Sequence, residues 1–154
     1  MIPSPQLDDF IKGWEWCELK PYRDQAGKWT VGWGYLMKPS DDKTMTITQD
    51  EADALFDMEL LATAHLLDQV MIQPPKQQQY DAVISLVYNI GIGAFQVSTL
   101  RSLMNNGCYK AAAGEFRKWC KVTINGVKQT SNGLLKRRLA ETDIFLNGNY
   151  GGRP

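Results

Sequence analysis

Residues 15–35 read EWCELKPYRDQAGKWTVGWGY. An acid, Glu15, stands at the end of a helical pattern. A second acid, Asp24, follows after eight intervening residues and Thr30 after five more, and Gly32-Trp33-Gly34 closes the run. Gly27 marks a turn, and beyond it Trp29, Val31 and Trp33 alternate with Thr30 and Gly32, the period of a strand. Residues 22–36 are therefore expected to form short strands of a small hairpin lobe. Two carboxylates and a hydroxyl gathered by such a hairpin suit general acid–base chemistry. They suit glycoside cleavage too, where one carboxyl protonates the leaving oxygen and the other handles water or the sugar.

Singly, each of these residues has an ordinary reading. An acid near a helix end is commonly a solvated charge, Asp24 before Gln-Ala-Gly is a turn former that bonds its own backbone, and Thr30 is a β-branched strand residue. If Trp29 and Val31 face the core, Thr30 faces the open side, where a water could be held. Trp16, Trp29 and Trp33 read either as sugar-stacking surfaces or as core of the small lobe.

On the N-terminal side, Ser4-Pro5 reads as an N-cap and first helical residue. Leu7, Phe10, Ile11 and Trp14 share one apolar face, and Pro21 is expected to end the helix. Glu15 lies beside that face, where partial desolvation favours the protonated carboxyl that a general acid requires.

On the C-terminal side, residues 37–47 form a polar loop with Pro39. Thr48-Gln49-Asp50-Glu51 is a capping box opening a helix to Val70. Its expected buried side is Ala52, Leu55, Phe56, Ala62, Leu66 and Leu67. At roughly 1.5 Å per residue it would reach about 33 Å, enough to join two lobes, before Pro74-Pro75 stops it. Lys76 to Ile90 is apolar almost all round and should be core. Ser98 caps a short helix ended by Gly107, and residues 109–119 form another. Asn125-Gly126 marks a tight turn, a candidate hairpin. The last helix is capped by Asn132 or Ser131, with Leu135, Leu139, Thr142 and Leu146 as its stripe and a frayed tail after Gly148.

A chain of 154 residues with zero formal net charge is sized for one domain. It offers no general electrostatic case for nucleic acid or an anionic membrane. Cys17, Cys108 and Cys120 are odd in number and irregularly spaced, which argues against a disulfide framework or zinc site and for small buried apolar residues. A thiol nucleophile at Cys17 would need a base, and the lone His65 lies far along the chain. The N-terminus lacks the marks of a secretory signal. No apolar run approaches the 18 or so residues that span a bilayer, so stable membrane insertion is not expected.

The stretch resembles the phage-type lysozymes (endolysins), glycoside hydrolase family 24. Glu15, Asp24 and Thr30 meet that family's spacing within Y-x-D-x-x-G-x-x-T-x-G-x-G, here Tyr22, Asp24, Gly27, Thr30, Gly32 and Gly34. Relatives commonly carry His after the last glycine, where this chain has Tyr35. Asn89-Ile90-Gly91-Ile92-Gly93-Ala94-Phe95 is similar to a second family stretch, and residues 133–141, GLLKRRLAE, to a third.

The resemblance implies an α+β, lysozyme-like fold in one domain. A small lobe (about 15–50) and a helical lobe (about 74–148, with the N-terminal helix) are joined by the helix at about 49–70, with the cleft between. It implies a muramidase acting on bacterial peptidoglycan, with Glu15, Asp24 and Thr30 catalytic, and Asn89 and Trp33 on substrate. Arg137, or alternatively Arg138, would support the acid. No cofactor or metal is implied. The chain is expected to be a monomer, made in the host cytoplasm and reaching periplasmic peptidoglycan through a membrane-permeabilising release protein. A lytic transglycosylase and a non-catalytic wall-binding domain are the rival readings.

Overall fold

Thr48 opens the longest helix, and both arms of its capping box are made. The hydroxyl accepts from Glu51 N at 3.2 Å, and Glu51 Oε2 accepts from Thr48 N at 2.7 Å. The structure, a computed structural model, describes residues 1–24 and 26–152. Gln25 and residues 153–154 lie outside the described residues. The elements run α1 (Pro5–Lys12), β1 (Glu18–Arg23), β2 (Trp29–Gly32), β3 (Tyr35–Leu36), α2 (Gln49–Val70), α3 (Gln77–Ile90), α4 (Ile92–Gln96), α5 (Thr99–Asn105) and α6 (Tyr109–Glu115). A 3-10 turn (Phe116–Trp119), β4 (Lys121–Ile124), β5 (Val127–Thr130) and α7 (Asn132–Asn147) follow.

Strands β1, β2 and β3 form an antiparallel sheet in chain order. It packs on a small apolar cluster of Val31, Ile47 and Ala52, with Leu19, Tyr35 and Leu55 around it. The larger cluster is built on α3, whose residues from Gln79 to Val87 are all buried, with Phe10, Phe56, Phe95, Phe116 and Phe145 packed about it. Helix α2 joins the two: Ala52 belongs to the small cluster and Phe56, Leu60, Ala64 and Leu67 to the large one. Gly32, at φ 64, lets the sheet approach α2; a Cβ there would lie 3.4 Å from that of Ala52. Among the described residues no helix is long and apolar enough to cross a membrane.

Several expectations are corrected. α1 ends at Lys12 with Gly13 as its cap, so Pro21 does not terminate it. Pro21 lies inside β1, at the irregularity in register between Glu18 and Tyr22, a position where a missing N–H is tolerated. In α2, Ala62 and Leu66 are exposed and Leu55 is half-buried. Ala62 is about 200° of helical rotation from Leu60 and from Ala64, both buried. In α7, capped by Ser131, the expected stripe is not the buried face: Leu139 and Leu146 are exposed and Leu135 and Thr142 half-buried, while Arg137, Arg138, Ala140, Glu141, Ile144 and Phe145 are buried.

The tail is docked rather than frayed. Tyr150 donates to Asp81 Oδ2 at 2.5 Å, and Gly152 approaches Ala140 so closely that a Cβ there would lie 2.7 Å away. Asn125 and Gly126 both take positive φ, 50° and 78°, closing β4 and β5 with a two-residue turn. Of the cysteines, Cys120 is buried, Cys17 half-buried and Cys108 exposed.

Candidate active site

Glu15 lies just past α1, its N–H donating to Ile11 O at 3.1 Å as the helix unwinds. Its side chain is 22% exposed. Arg137 Nη1, from the far end of the sequence, donates to Glu15 Oε1 at 2.6 Å. That arginine is itself buried and held from behind. Its Nε donates to Glu141 Oε1 at 3.2 Å, and its Nη2 to the carbonyl of Ser85 at 3.4 Å. The Ser85 hydroxyl donates to the same Glu141 oxygen at 2.7 Å.

Arg138 takes the other side of Glu141. Its Nε lies 3.1 Å from Glu141 Oε2, close enough for ion pairing but not aligned as a hydrogen bond. Its Nη2 donates to Asn89 Oδ1 at 2.9 Å. The geometry thus pairs Glu15 with Arg137 and turns Arg138 toward Asn89. Burial pushes the Glu141 carboxyl up, against the pull of both guanidinium groups. Burial likewise pushes Arg138 down to about 10, opposed by Glu141. Isolated charges at this depth would be costly; each is tolerated because its partners are present.

Asp24 is organised by its own turn. Its Oδ1 accepts from Ala26 N at 2.9 Å and Lys28 N at 2.8 Å, and its backbone N–H donates to Lys28 O at 2.9 Å. The turn-forming reading therefore holds alongside any chemical role. Among the described residues Asp24 Oδ2 has no hydrogen bond, which leaves one carboxylate oxygen for chemistry.

Thr30 pairs directly with Tyr22 across β1 and β2, so the two side chains share a face of the sheet. Burial pushes the Tyr22 phenol up, and the carboxylates of Asp24 and Glu15 both add to this. Tyr22 thus stands within electrostatic reach of both acids, on the face that also carries Thr30. The expectation of an open-facing Thr30 is corrected. It is 3% exposed, and its hydroxyl donates to Lys28 O at 3.2 Å. Thr30 and Val31, on opposite faces of β2, are both buried, so both faces of the strand are covered and alternation of inside and outside does not apply to it.

Trp33 bridges the lobes. Its indole N–H donates to Asp53 Oδ1 at 2.7 Å, its carbonyl accepts from Tyr88 Oη at 3.2 Å, and Lys12 Nζ sits 5.6 Å from the ring centroid. Trp16 is 78% exposed beside Glu15, so the core reading fails for it. A Cys–His mechanism finds no support. Burial pushes the Cys17 thiol up, the wrong direction for a nucleophile, and exposed His65 bonds Gln69 on the outside of α2.

Tyr88, Ser85 and Glu141 were not singled out from the sequence. Burial pushes the Tyr88 phenol well up, with the Glu15 charge adding and Arg137 opposing, so Tyr88 stands near that ion pair. The spacing of Arg137, Arg138 and Glu141, one helical turn apart on α7, was the available signal for the third of these. Ser85 on α3 gave none.

The profile of the phage lysozyme family matches residues 12–141. An endolysin of Acyrthosiphon pisum secondary endosymbiont phage 1 is 41% identical over 135 residues, covering 88% of this chain and 91% of the relative. Among solved structures, the endolysin from Escherichia coli O157:H7 phage FAHEc1 superposes with a TM-score of 0.87 at 36% identity, covering 97% of this chain and 96% of that one. The muramidase domain of SpmX from Asticaccaulis excentricus gives 0.85 at 29% identity, covering 94% and 97%. With Glu15, Asp24 and Thr30 all inside the matched span, and mixed helices and small antiparallel sheets as its fold, the chain belongs to the phage lysozyme family.

Proposed function

We propose that this chain is a muramidase that hydrolyses the β-1,4 bond between N-acetylmuramic acid and N-acetylglucosamine in bacterial peptidoglycan. The observation that carries this reading is the half-buried Glu15, clamped at one oxygen by Arg137 and sharing the surroundings of Tyr22 with Asp24. The description of a similar solved structure as a muramidase domain supports the choice of bond.

Glu15 is the general acid. Arg137 occupies Oε1, so Oε2 is the oxygen that carries the transferable proton. Proton delivery to the glycosidic oxygen makes the departing sugar a neutral alcohol. Asp24 acts through Oδ2 on the other face, as base for water or as stabiliser of the oxocarbenium-like state. Thr30, beside Tyr22, orients that water by exchanging its bond to Lys28 O for one to the water. Asn89 and the half-buried Trp33 contact the sugars. No cofactor enters this scheme. The enzyme acts as a monomer, is made in the host cytoplasm and reaches periplasmic peptidoglycan with the help of a membrane-permeabilising release protein.

Mass spectrometry of the soluble products of purified peptidoglycan tests the reading. Reducing N-acetylmuramic ends are expected. Anhydro-muramic ends would make the chain a transglycosylase and remove the water-handling roles of Asp24 and Thr30. Binding without released fragments would make it a wall-binding domain.

A further inference from the structure

Helix α2 carries a second apolar face, outside the two clusters it joins. Ala54, Met58, Leu61, Ala62 and Leu66 are exposed on it, and Leu55 is half-buried. Their spacings of three and four place them along one side of the helix. Large apolar side chains grouped in this way mark a contact surface, as scattered ones do not.

Open cavities run along this face. One of about 400 Å³ is lined by Ile47, Ala54, Leu55 and Met58, with Glu51 as its charged residue. A second, of about 210 Å³, shares Ile47 and Leu55 with the first and continues past Pro21, Val31 and Met45, with Asp41 and Asp42 as its charged residues. A third, of about 220 Å³, lies at Leu60 and Leu61, and its charged residues are Asp8 and Asp57. Val31 is on the opposite face of β2 from Thr30, which pairs with Tyr22. The groove is therefore behind the sheet. An occupant there leaves the face of Tyr22 and Thr30, and the acids within its reach, uncovered.

Among the described residues, every charged side chain lining these cavities is an acid. Helix α2 itself carries Asp50, Glu51, Asp53, Asp57, Glu59 and Asp68, and no lysine or arginine. Lys12 meets Asp53 at 3.1 Å and the Met1 ammonium meets Asp68 at 2.6 Å; the others make no ion pair among the described residues. Lys43, next to Asp42, is turned into its own loop, where its ammonium donates to the carbonyls of Lys38, Pro39 and Asp41. Burial pushes the Asp8 carboxyl up, and the charge of Asp57 pushes it further. A cation arriving here relieves a repulsion already present.

An apolar groove surrounded by carboxylates complements a segment that is apolar on one side and basic on the other. Anionic lipid has the wrong sign for it. A second copy of the chain, in a two-fold contact, would bring the same acids against these. From Glu51 to Leu61 the helix rises about 15 Å, the length of a partner helix of about three turns. We infer that the outer face of α2, with the groove behind the sheet, is a docking surface for a basic amphipathic helix of a partner protein, bound while the catalytic cleft stays open.

The test is fluorescence anisotropy with a labelled synthetic helix, leucine on one side and lysine on the other, titrated with the full chain. Two control peptides are used: one with glutamine in place of lysine, and one scrambled so that no apolar side forms. The basic amphipathic peptide binds about tenfold tighter than either. Its advantage over the glutamine peptide shrinks as ionic strength rises. Met58→Gln/Leu61→Gln, at two exposed positions, weakens it about tenfold, the scale of two partly covered apolar contacts. Asp57→Lys weakens it about fivefold. Both variants melt with the unaltered chain. Saturating peptide leaves the turnover of peptidoglycan unchanged, and the binding readout does not depend on that turnover.

Equal binding of either control peptide, or binding that survives both variants, overturns the inference. Co-sedimentation with phosphatidylglycerol vesicles that Met58→Gln/Leu61→Gln abolishes makes the face a membrane surface instead. A dimer in analytical ultracentrifugation that the same pair dissociates makes it a self-interface. Inhibition of turnover by the bound peptide contradicts the open cleft.

Discussion

The two carboxylates of the site are held in opposite ways. Asp24 is fixed within four residues by the N–H groups of Ala26 and Lys28. Glu15 is fixed by Arg137, 122 residues away, and through it by Glu141 and Ser85 in the core. The first arrangement belongs to a turn and costs little to build. The second needs the large lobe to be folded before the acid is in place. A base that addresses water can stand in a locally made, partly exposed turn. An acid that must give up its proton in one direction is better held by a rigid neighbour.

The comparison breaks most sharply at Arg137. Arg137→Met would leave Glu141 and Glu15 without their shared cation, and a stability loss of about 3–5 kcal/mol is expected in denaturant titration. A loss below about 1 kcal/mol would mean that the buried pairs do not hold the acid. Asp24→Asn should separate geometry from charge. The amide oxygen can still accept from Ala26 and Lys28, so stability should barely change while turnover falls by about a hundredfold. An unfolded Asp24→Asn would instead make this residue structural. Thr30→Ala is expected to cost about tenfold in turnover, and a loss as large as that from Glu15→Gln would contradict its auxiliary part.

The smallest effect is expected at the link between lobes. The indole N–H of Trp33, and then Lys12, hold the Asp53 carboxyl below its ordinary value of 3.8. A depressed folded-state value means that the stabilisation is complete above the ordinary carboxylate range. It is lost as the pH falls through the folded-state value. Asp53 is 40% exposed, so after solvent screening Asp53→Asn should cost under about 1 kcal/mol at neutral pH. The difference from the unaltered protein should vanish in acid melts; a difference that persists there would place the effect in packing rather than charge.

This contrast also explains what the sequence could show. Asp24 and its turn, the capping box at Thr48, the all-apolar α3 and the Asn125-Gly126 hairpin are local, and local chemistry announces them. The family's spacing marked Glu15, Asp24 and Thr30 as a set. The inward face of α7 was misread because an apolar stripe is the ordinary rule for a surface helix. Here Arg137, Arg138 and Glu141 are buried instead, paired with one another and partnered by Ser85, Asn89 and Glu15. Those partners lie on α3 and after α1, and no pattern within α7 points to them. Thr30 was misplaced for a similar reason, since alternation presumes that one face of the strand is open. Tyr150 read as tail because Asp81, its partner, is 69 residues away.

The most direct measurement is the turnover of Glu15→Gln on purified peptidoglycan, taken with its thermal unfolding. The amide can still accept from Arg137, so the melting transition should stay close to that of the unaltered chain. Turnover should fall by about a thousandfold or more, because no proton is available for the leaving oxygen. Near-full activity in a folded Glu15→Gln would contradict the account at its centre and leave the buried pairs of α7 as a structural feature alone.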